Sequence, residues 1–305
     1  MLDVRKLIML RSIAAEGSIA AAARALQYTR SAVSQQLSAL ERETGAQLVE
    51  RAGGRVSLTP TGRELVEHTE RILVELRAAE AMLESDPHPI GGLLRCGVPF
   101  GEGPRIMSRA LTEVRQSFPG LEIRLAATTD ETGADEVRRG LLDMVVLSRF
   151  GAAHPRAQLG LREWMLGSDA LRLCVPVGHR LAGAREASMA DLQDEAWIVC
   201  PTSTLGQLTL SLCLTAGFEP VLAASVNDLG TAVGLVGIGW GITIAPELTP
   251  VSSDRPVVHV ALAGVNTQRH SVLIVREGEH LSPRIATAIT AVREVSARSW
   301  PTAPR

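Results

Sequence analysis

The stretch SIAAAARALQYTRSAVSQQLSALERE, residues 18–43, decides how the N-terminal part of the chain folds. In its second half, Val33, Leu37 and Leu40 stand four and three positions apart, so a helix with 3.6 residues per turn places them on one buried stripe. The opposite side carries serine, glutamine and arginine. This spacing predicts an amphipathic helix that packs on a core and presents a polar surface.

A second, shorter helix precedes it. Ser18 is suited to cap its start, and the alanine-rich run over residues 20–25 leaves little side-chain bulk, so that another helix can approach closely. Residues 27–29 then make a short turn, Thr29 caps the second helix, and Gly45 ends it in a left-handed conformation. Two helices joined in this way are typical of the helix-turn-helix of DNA-binding proteins.

The second helix of such a motif reaches DNA with its N-terminal part. Arginine can hydrogen-bond guanine O6 and N7, glutamine can pair with adenine N6 and N7, and serine can donate or accept. The alternative is a solvated polar surface in an ordinary helical bundle. The side chains that we expect at the DNA are Ser18, Thr29, Arg30, Ser31, Ser34 and Gln35, together with Arg51 and Arg55.

Two strand-like pieces over residues 47–58 flank a pair of glycines, which predicts a β-hairpin. Arg51 and Arg55 near its tip are suited to the sugar-phosphate backbone or the minor groove, with two exposed charges on a turn as the alternative. Residues 1–63 contain nine basic and five acidic side chains, whereas the net charge of the whole chain is −2. This asymmetry favours nucleic acid at the N-terminal end only.

Thr59 and Pro60 predict the start of a long helix over residues 60–84. Its apolar positions follow a heptad pattern, which predicts pairing with a second copy of the helix, and packing within its own domain is the alternative. The seam consists of Leu65, Thr69, Ile72, Leu76, Ala79 and Leu83. Proline and glycine are frequent in residues 85–91, which predicts a hinge between domains.

Strand-like runs alternate with helical patterns over residues 92–305, which predicts an α/β fold with a mostly parallel sheet, in two lobes. In open α/β sheets, ligands bind beyond the carboxyl ends of strands. The predicted ligand contacts, whose alternative role is capping of loops and helices, are Phe100, Gly101, Thr129, Ser148, Thr202, Ser203 and Asn227. We expect a small organic acid held by backbone donors, with Asp228 as a helix cap.

These features together resemble the LysR-type transcriptional regulators over the whole chain. The resemblance of the N-terminal part rests on Gly17, Ser18, Ala22, Ala23, Leu26, residues 31–34, Leu40, Glu41, Gly45, Leu48, Arg51 and residues 58–62. That of the remainder rests on Phe118, Pro119, Gly140, Asp143, Pro176, His179, Leu181, Ala182, residues 239–241 and Pro246. The N-terminal set is the more specific of the two.

The resemblance implies a winged helix-turn-helix over residues 1–59, a dimerising linker helix over 60–84 and a hinge over 85–91. It also implies an effector-binding domain over 92–305 that resembles periplasmic binding proteins. Lobe I would comprise about residues 92–162 and 267–305, and lobe II about residues 163–266.

The same resemblance implies that a small-molecule effector binds between the two lobes of the effector-binding domain. It also implies that the chain forms a homotetramer, that effector binding changes the arrangement of this tetramer, and that the bending of promoter DNA changes as a result. Two departures from the family pattern affect the DNA-binding part. Arg30 and Ser31 stand where glutamine and proline or serine are usual, and Val49 replaces the usual phenylalanine of the wing. The base preference and the packing of the wing are therefore expected to differ.

The four cysteines show no CxxC spacing, which favours reduced core residues. A peroxide-sensing branch of the family uses two cysteines in lobe II, where Cys200 and Cys213 lie, so redox sensing is an alternative. The scattered histidines indicate no metal site, and we expect no cofactor.

Other classes of protein fit the sequence less well. No nucleophile elbow or dinucleotide loop in the required context supports an enzyme. A solute-binding transport protein would share the lobes but needs a secretory signal, and we expect the opening residues to form a core helix instead. No apolar run is long enough to span a membrane. A small-molecule binding protein without specific DNA binding remains an alternative. We expect a cytoplasmic regulator without a membrane partner.

Overall fold

The computed structural model describes residues 1–52, 55–83, 90–98, 103–151, 160–265 and 267–300. The chain divides into two compact units, Met1–Glu80 and Ala81–Arg305.

The first unit begins with three helices, followed by a hairpin and a long helix. Its elements are α1 (Val4–Glu16), α2 (Ile19–Ala25), α3 (Arg30–Thr44), β1 (Val49–Ala52), β2 (Arg55–Leu58) and α4 (Pro60–Leu83). The caps predicted for α2 and α3 are confirmed: Ser18 accepts a hydrogen bond from the Ala21 amide and Thr29 accepts one from the Ala32 amide. Gly45 ends α3 with φ 66°, in the left-handed region where glycine is favoured.

One apolar core holds the first three helices and the hairpin together. The predicted stripe of α3 lies in this core, with Val33, Leu37 and Leu40 at most 2% exposed. The other buried members are Leu7, Met9, Leu10, Ile13, Ile19, Ala22, Ala23, Leu48 and Val49. Because α3 buries one face here, its polar face is left for solvent or a partner.

Helix α4 has 24 residues, and its heptad seam divides into two parts. Thr69 is fully buried and Leu65 half-buried, so these two seam residues pack within the unit. The last four seam residues are exposed, including Leu76 at 43% and Leu83 at 74%. The second half of α4 therefore carries an apolar stripe that the described residues leave exposed.

Strands and helices alternate in the second unit. Its elements are β3 (Gly92–Val98), α5 (Gly103–Ser117), β4 (Leu121–Ala127), α6 (Gly133–Arg138), β5 (Met144–Phe150), β6 (Leu161–Pro176), β7 (Glu186–Ala187), β8 (Ala196–Val199), α7 (Thr204–Thr215), β9 (Val221–Ser225), α8 (Leu229–Gly237), β10 (Thr243–Pro246), β11 (Val257–Leu262), β12 (Gln268–Arg276) and α9 (Pro283–Ser299).

The prediction of a mostly parallel sheet is wrong, because the sheets are mixed. β3 pairs in parallel with β4 and β5, and β8 pairs in parallel with β9. However, β12 is antiparallel to both β5 and β6, and β6 is antiparallel to β10 and β11. β12 comes late in the chain and pairs with β5, a strand far earlier in the sequence. It runs antiparallel to that strand.

The second unit has separate apolar cores along the two parts of strand β6. One core comprises residues of β3, α5, β5, β12 and α9, and another is built from β6, β8, α7, β10 and β11. Residues 161–170 of β6 pair with β12, whereas residues 171–176 pair with β10 and β11. β6 thus runs through both lobes, and its pairing with β12 continues beyond the boundary expected near residue 162.

Candidate functional site

The N-terminal end of α3 presents the side chains that were predicted to reach DNA. Arg30, Ser31 and Gln35 are exposed, and Ser34 is half-buried. Ser18 and Thr29 use their hydroxyl oxygens as helix caps, each 3.1 Å from the amide nitrogen that donates to it. The predicted set therefore divides into exposed groups on α3 and two caps that fix where the helices begin.

The hairpin is held against the helices by backbone hydrogen bonds. The Val56 amide donates to the carbonyl oxygen of Gly17 over 3.0 Å, and the Leu48 amide donates to the Glu41 carboxylate over 3.0 Å. Val49, which replaces the usual wing phenylalanine, is 4% exposed and packs in the core. The side chains of Arg51 and Arg55 lie outside the described part of the structure.

Sequence reasoning missed the exposed aromatic ring beside α3. Tyr28 is 54% exposed and directly precedes the cap of the helix. Gln27 before it has φ 58°, an uncommon conformation for a residue other than glycine. Tyr28 could have been singled out from the sequence as the only tyrosine of the chain. Its position in the turn between two helices suggested a purely structural role.

A cavity of about 290 Å³ lies within the second unit, at the ends of strands from both lobes. Five predicted ligand contacts line this cavity: Thr129, Ser148, Thr202, Ser203 and Asn227. The other two, Phe100 and Gly101, fall outside the described residues. Phe150, Leu205 and Ile244 give the cavity an apolar wall.

Two carboxylates that sequence reasoning did not select line the same cavity. The Ser148 amide donates to Oδ1 of Asp130 over 2.6 Å. Burial raises the pKa of the Asp130 carboxyl to about 7, although the hydrogen bond from Ser148 acts in the opposite direction. Asp130 is therefore partly protonated near neutral pH.

Glu131 forms a bridge across the cavity to lobe II. Its Oε1 accepts hydrogen bonds from the amide and the hydroxyl of Thr204, over 2.8 and 2.7 Å. Burial tends to raise the pKa of Glu131, but hydrogen bonds from the amide and hydroxyl of Thr204, from its own backbone and from Thr129 together outweigh burial and leave the pKa below its usual range. Because Thr204 is the first residue of α7, the carboxylate also benefits from the positive end of the helix dipole.

Both helices of lobe II that border the cavity are capped by their own side chains. Ser203 accepts a hydrogen bond from the Gly206 amide over 3.0 Å and donates to the carbonyl oxygen of Cys200 over 2.9 Å. Asp228 accepts hydrogen bonds from the amide and hydroxyl of Thr231, over 2.8 and 2.7 Å. The capping role expected of Asp228 is thus confirmed, and Ser203 also has its alternative capping role.

A buried ion pair joins β6 and β12 beside the cavity. Arg269 donates from Nε and Nη2 to the two carboxylate oxygens of Asp169, over 2.8 and 2.9 Å. The guanidinium also lies over the ring of Trp300, 5.1 Å from its centroid. The Leu248 amide donates to Asp169 over 2.9 Å, so both charged groups are well partnered despite their burial.

The four cysteines are free, and three of them are buried. Burial raises the pKa of Cys174 to about 12 and that of Cys213 to about 11. Cys200 is half-buried and lines the cavity. Within the described residues, no group of three or more potential ligands could hold a metal ion. No helix in the same part of the chain has the length and apolar character required to cross a bilayer.

Two protein-family models match the chain. The first, described as "Bacterial regulatory helix-turn-helix protein, lysR family", matches residues 4–63. The second, described as "LysR substrate binding domain", matches residues 88–297.

Individual proteins are similar over most of the chain. The "Transcriptional dual regulator GltC" of Bacillus subtilis is 24% identical over 83% of this chain and 84% of its own. The "Probable hydrogen peroxide-inducible genes activator" of Mycobacterium avium is 30% identical over 80% of this chain and 78% of its own. A putative LysR family regulator from Pseudomonas aeruginosa, PA01, has a similar fold, with a TM-score of 0.57, 24% identity and coverage of 96% and 98%.

Proposed function

The chain belongs to the LysR family of bacterial transcriptional regulators, and on this premise we propose that α3 and the hairpin bind promoter DNA under the control of a small molecule in the cavity. The domain boundaries of this proposal are those expected from the sequence: 1–59 for DNA binding, 60–84 for the linker helix, 85–91 for the hinge and 92–305 for effector binding.

The exposed N-terminal end of α3 is the observation that carries the DNA-binding proposal. Arg30, Ser31 and Gln35 project from a helix whose other face is locked into the core. A packed helix with exposed polar side chains at its start is what major-groove recognition requires. Arg30 would hydrogen-bond a guanine edge, and Gln35 an adenine edge.

Self-association completes the proposed assembly. We propose that two copies pair through the exposed seam of α4, because an apolar stripe at heptad spacing gains stability when a second helix covers it. Two such dimers would form a homotetramer. The regulator would act in the cytoplasm, where bacterial DNA lies, and would need neither a catalytic site nor a cofactor.

The cavity is the proposed effector site. Residues of both lobes line it, including Thr129 and Ser148 from one lobe and Thr202, Ser203 and Asn227 from the other. A ligand that contacts both sides changes the relative stability of arrangements of the lobes, which is the requirement for control by population shift.

The decisive experiment is a gel-shift titration against the DNA that flanks the protein's own gene, with a random fragment as competitor. We expect a complex at moderate salt that the random fragment does not displace at equal concentration. Equal displacement by the random fragment would contradict sequence-specific binding. It would favour the alternative of a small-molecule binding protein whose basic N-terminal part attracts nucleic acid without selectivity.

Redox sensing is a second candidate, favoured by the similarity to the relative named as a hydrogen peroxide-inducible genes activator. Against it, Cys213 is buried and its pKa is raised to about 11, so little reactive thiolate forms. Treatment with hydrogen peroxide followed by mass spectrometry tests this candidate. A disulfide between Cys200 and Cys213 that changes DNA affinity would favour it.

A further inference from the structure

We propose that the cavity of the second unit binds a positively charged small molecule, an amine or a guanidinium compound with a short hydrocarbon body, rather than an organic acid. This inference rests on the function proposed above, because it gives the chemical class of the effector.

The charged side chains that line the cavity are mostly acidic. Asp130, Glu131 and Asp228 contribute carboxylates, whereas Arg269 is the only lysine or arginine among the described lining residues. Two hydrogen bonds commit Arg269 to Asp169, so a carboxylate already pairs with its charge. When the Asp130 carboxyl is ionised, at a pH above its raised pKa of about 7, the cavity therefore has an excess of negative charge, which attracts cations and repels carboxylates.

Several donors that an organic acid could use at the cavity already have acceptors. The amide and hydroxyl of Thr204 donate to Glu131, the Gly206 amide donates to Ser203, and the Ser148 amide donates to Asp130. An incoming carboxylate would have to displace these acceptors in order to use the same donors, and it would find no unpaired cation among the described lining residues to compensate. The geometry therefore argues against the organic acid that we expected from the sequence.

Acceptors, in contrast, are in surplus. Oδ1 of Asp130 accepts from Ser148, but Oδ2 of the same carboxylate accepts no hydrogen bond from the described residues. An ammonium or guanidinium group has only donors and would satisfy this oxygen. Phe150, Leu205 and Ile244 would contact the hydrocarbon body of the ligand, and the volume of about 290 Å³ limits it to a small molecule.

Calorimetric titration of the full-length protein tests this proposal, at a pH above the raised pKa of Asp130 so that its carboxyl group is ionised. The probes are the diamine putrescine, the dicarboxylate succinate and the neutral butanediol, which share a four-carbon chain. We expect putrescine to bind at least about tenfold more tightly than succinate or butanediol. Absence of putrescine binding, or equal binding of succinate, would overturn the proposal.

Two matched variants test whether the negative charge of Asp130 holds the bound cation. Asp130→Asn keeps an acceptor for the Ser148 amide but removes the negative charge, and it should weaken putrescine binding at least about tenfold. Asp254→Asn makes the same change at an exposed carboxylate that does not line the cavity, and it should leave the affinity within about twofold. Circular dichroism establishes that both variants are folded. Unchanged affinity in Asp130→Asn would place the bound cation elsewhere and overturn the assignment.

The outcome for the ligand is separate from the outcome for DNA. The gel-shift titration without any ligand tests the DNA-binding function, and calorimetry without DNA tests the ligand class. Putrescine binding in a protein without specific DNA binding would leave the ligand class intact and refute the regulator. Specific DNA binding in a protein that prefers succinate would support the regulator and refute the proposed ligand class.

Discussion

Arg30 and Asp130 are single side chains with different proposed roles, one at the DNA-binding surface and one at the cavity. Arg30 is exposed at the start of α3 and can only act on a partner. Asp130 is half-buried beside the cavity, and its charge is opposed by burial and by Glu131 but favoured by Arg269 and Arg149. The proposed role of Arg30 is in DNA selectivity, whereas the raised pKa of Asp130 makes the charge of the cavity depend on pH.

Replacement of Arg30 by alanine should relax base preference. Loss of a bidentate contact to a base edge costs about 1–3 kcal/mol on the preferred sequence and little on others. Arg5→Ala, a matched control, removes the same charge from the exposed surface of α1. Gel shifts with the preferred and a random fragment measure the ratio of affinities. A similar ratio for both variants would mean that Arg30 contributes only charge.

The contribution of Asp130 to the stability of the protein should fall as pH rises towards neutral. Its pKa is raised from 3.8 to about 7 in the folded chain, so the stabilisation is complete below about pH 4 and is lost as pH rises through about 7. Asp130→Asn removes this dependence. We expect the variant to exceed the wild type by on the order of 1–3 kcal/mol at pH 8, and by much less at pH 5. Urea unfolding at the two pH values measures this, and a constant difference would contradict it.

Helices of the first unit were predictable because their signals are local. Ser18, Thr29 and Gly45 define the ends of α2 and α3 through hydrogen bonds and backbone angles within a few residues. The direction of β12 was not predictable in the same way, since its partners β5 and β6 are remote in the chain and nothing in its own residues states their orientation.

The exposed half of the α4 seam gives a prediction for self-association. Ile72→Lys places a charge on the apolar stripe and should weaken the dimer at least about tenfold, because the ammonium would lose its hydration in a helix pair. Glu67→Lys puts the same group on an exposed position of α4 outside the seam and should leave the dimer intact. Analytical ultracentrifugation measures both, and dimers of equal strength would exclude this helix face as the interface.

At the scale of the whole molecule, the cavity depends on contacts between distant parts of the chain. Glu131 meets Thr204 across 73 positions, and Arg269 meets Asp169 across 100. Sequence reasoning selected Thr129, Ser148 and Thr202 because each follows a strand expected from the sequence, but it missed Asp130, Glu131 and Arg269. Their importance comes from partners that only the folded chain provides.

The ion pair between β6 and β12 should be costly to break. Arg269→Met leaves the buried Asp169 without its counter-ion and should destabilise the protein by about 3–5 kcal/mol. The double variant Asp169→Leu with Arg269→Met removes both charges and should lose less. Urea unfolding compares the two. A double variant that is less stable than the single one would show that hydrogen bonds of the pair, such as that from Leu248, dominate.

The continuity of β6 has a consequence for how such proteins can diversify. Because one strand belongs to the sheets of both lobes, a recombination crossover between the lobes would split a strand that is hydrogen-bonded on each side. We therefore expect the lobes to be inherited as a pair and new ligand specificities to arise by point substitution around the cavity. Exchange of whole modules is expected instead between α4 and β3, where a DNA-binding part can be joined to a different sensor without cutting a sheet.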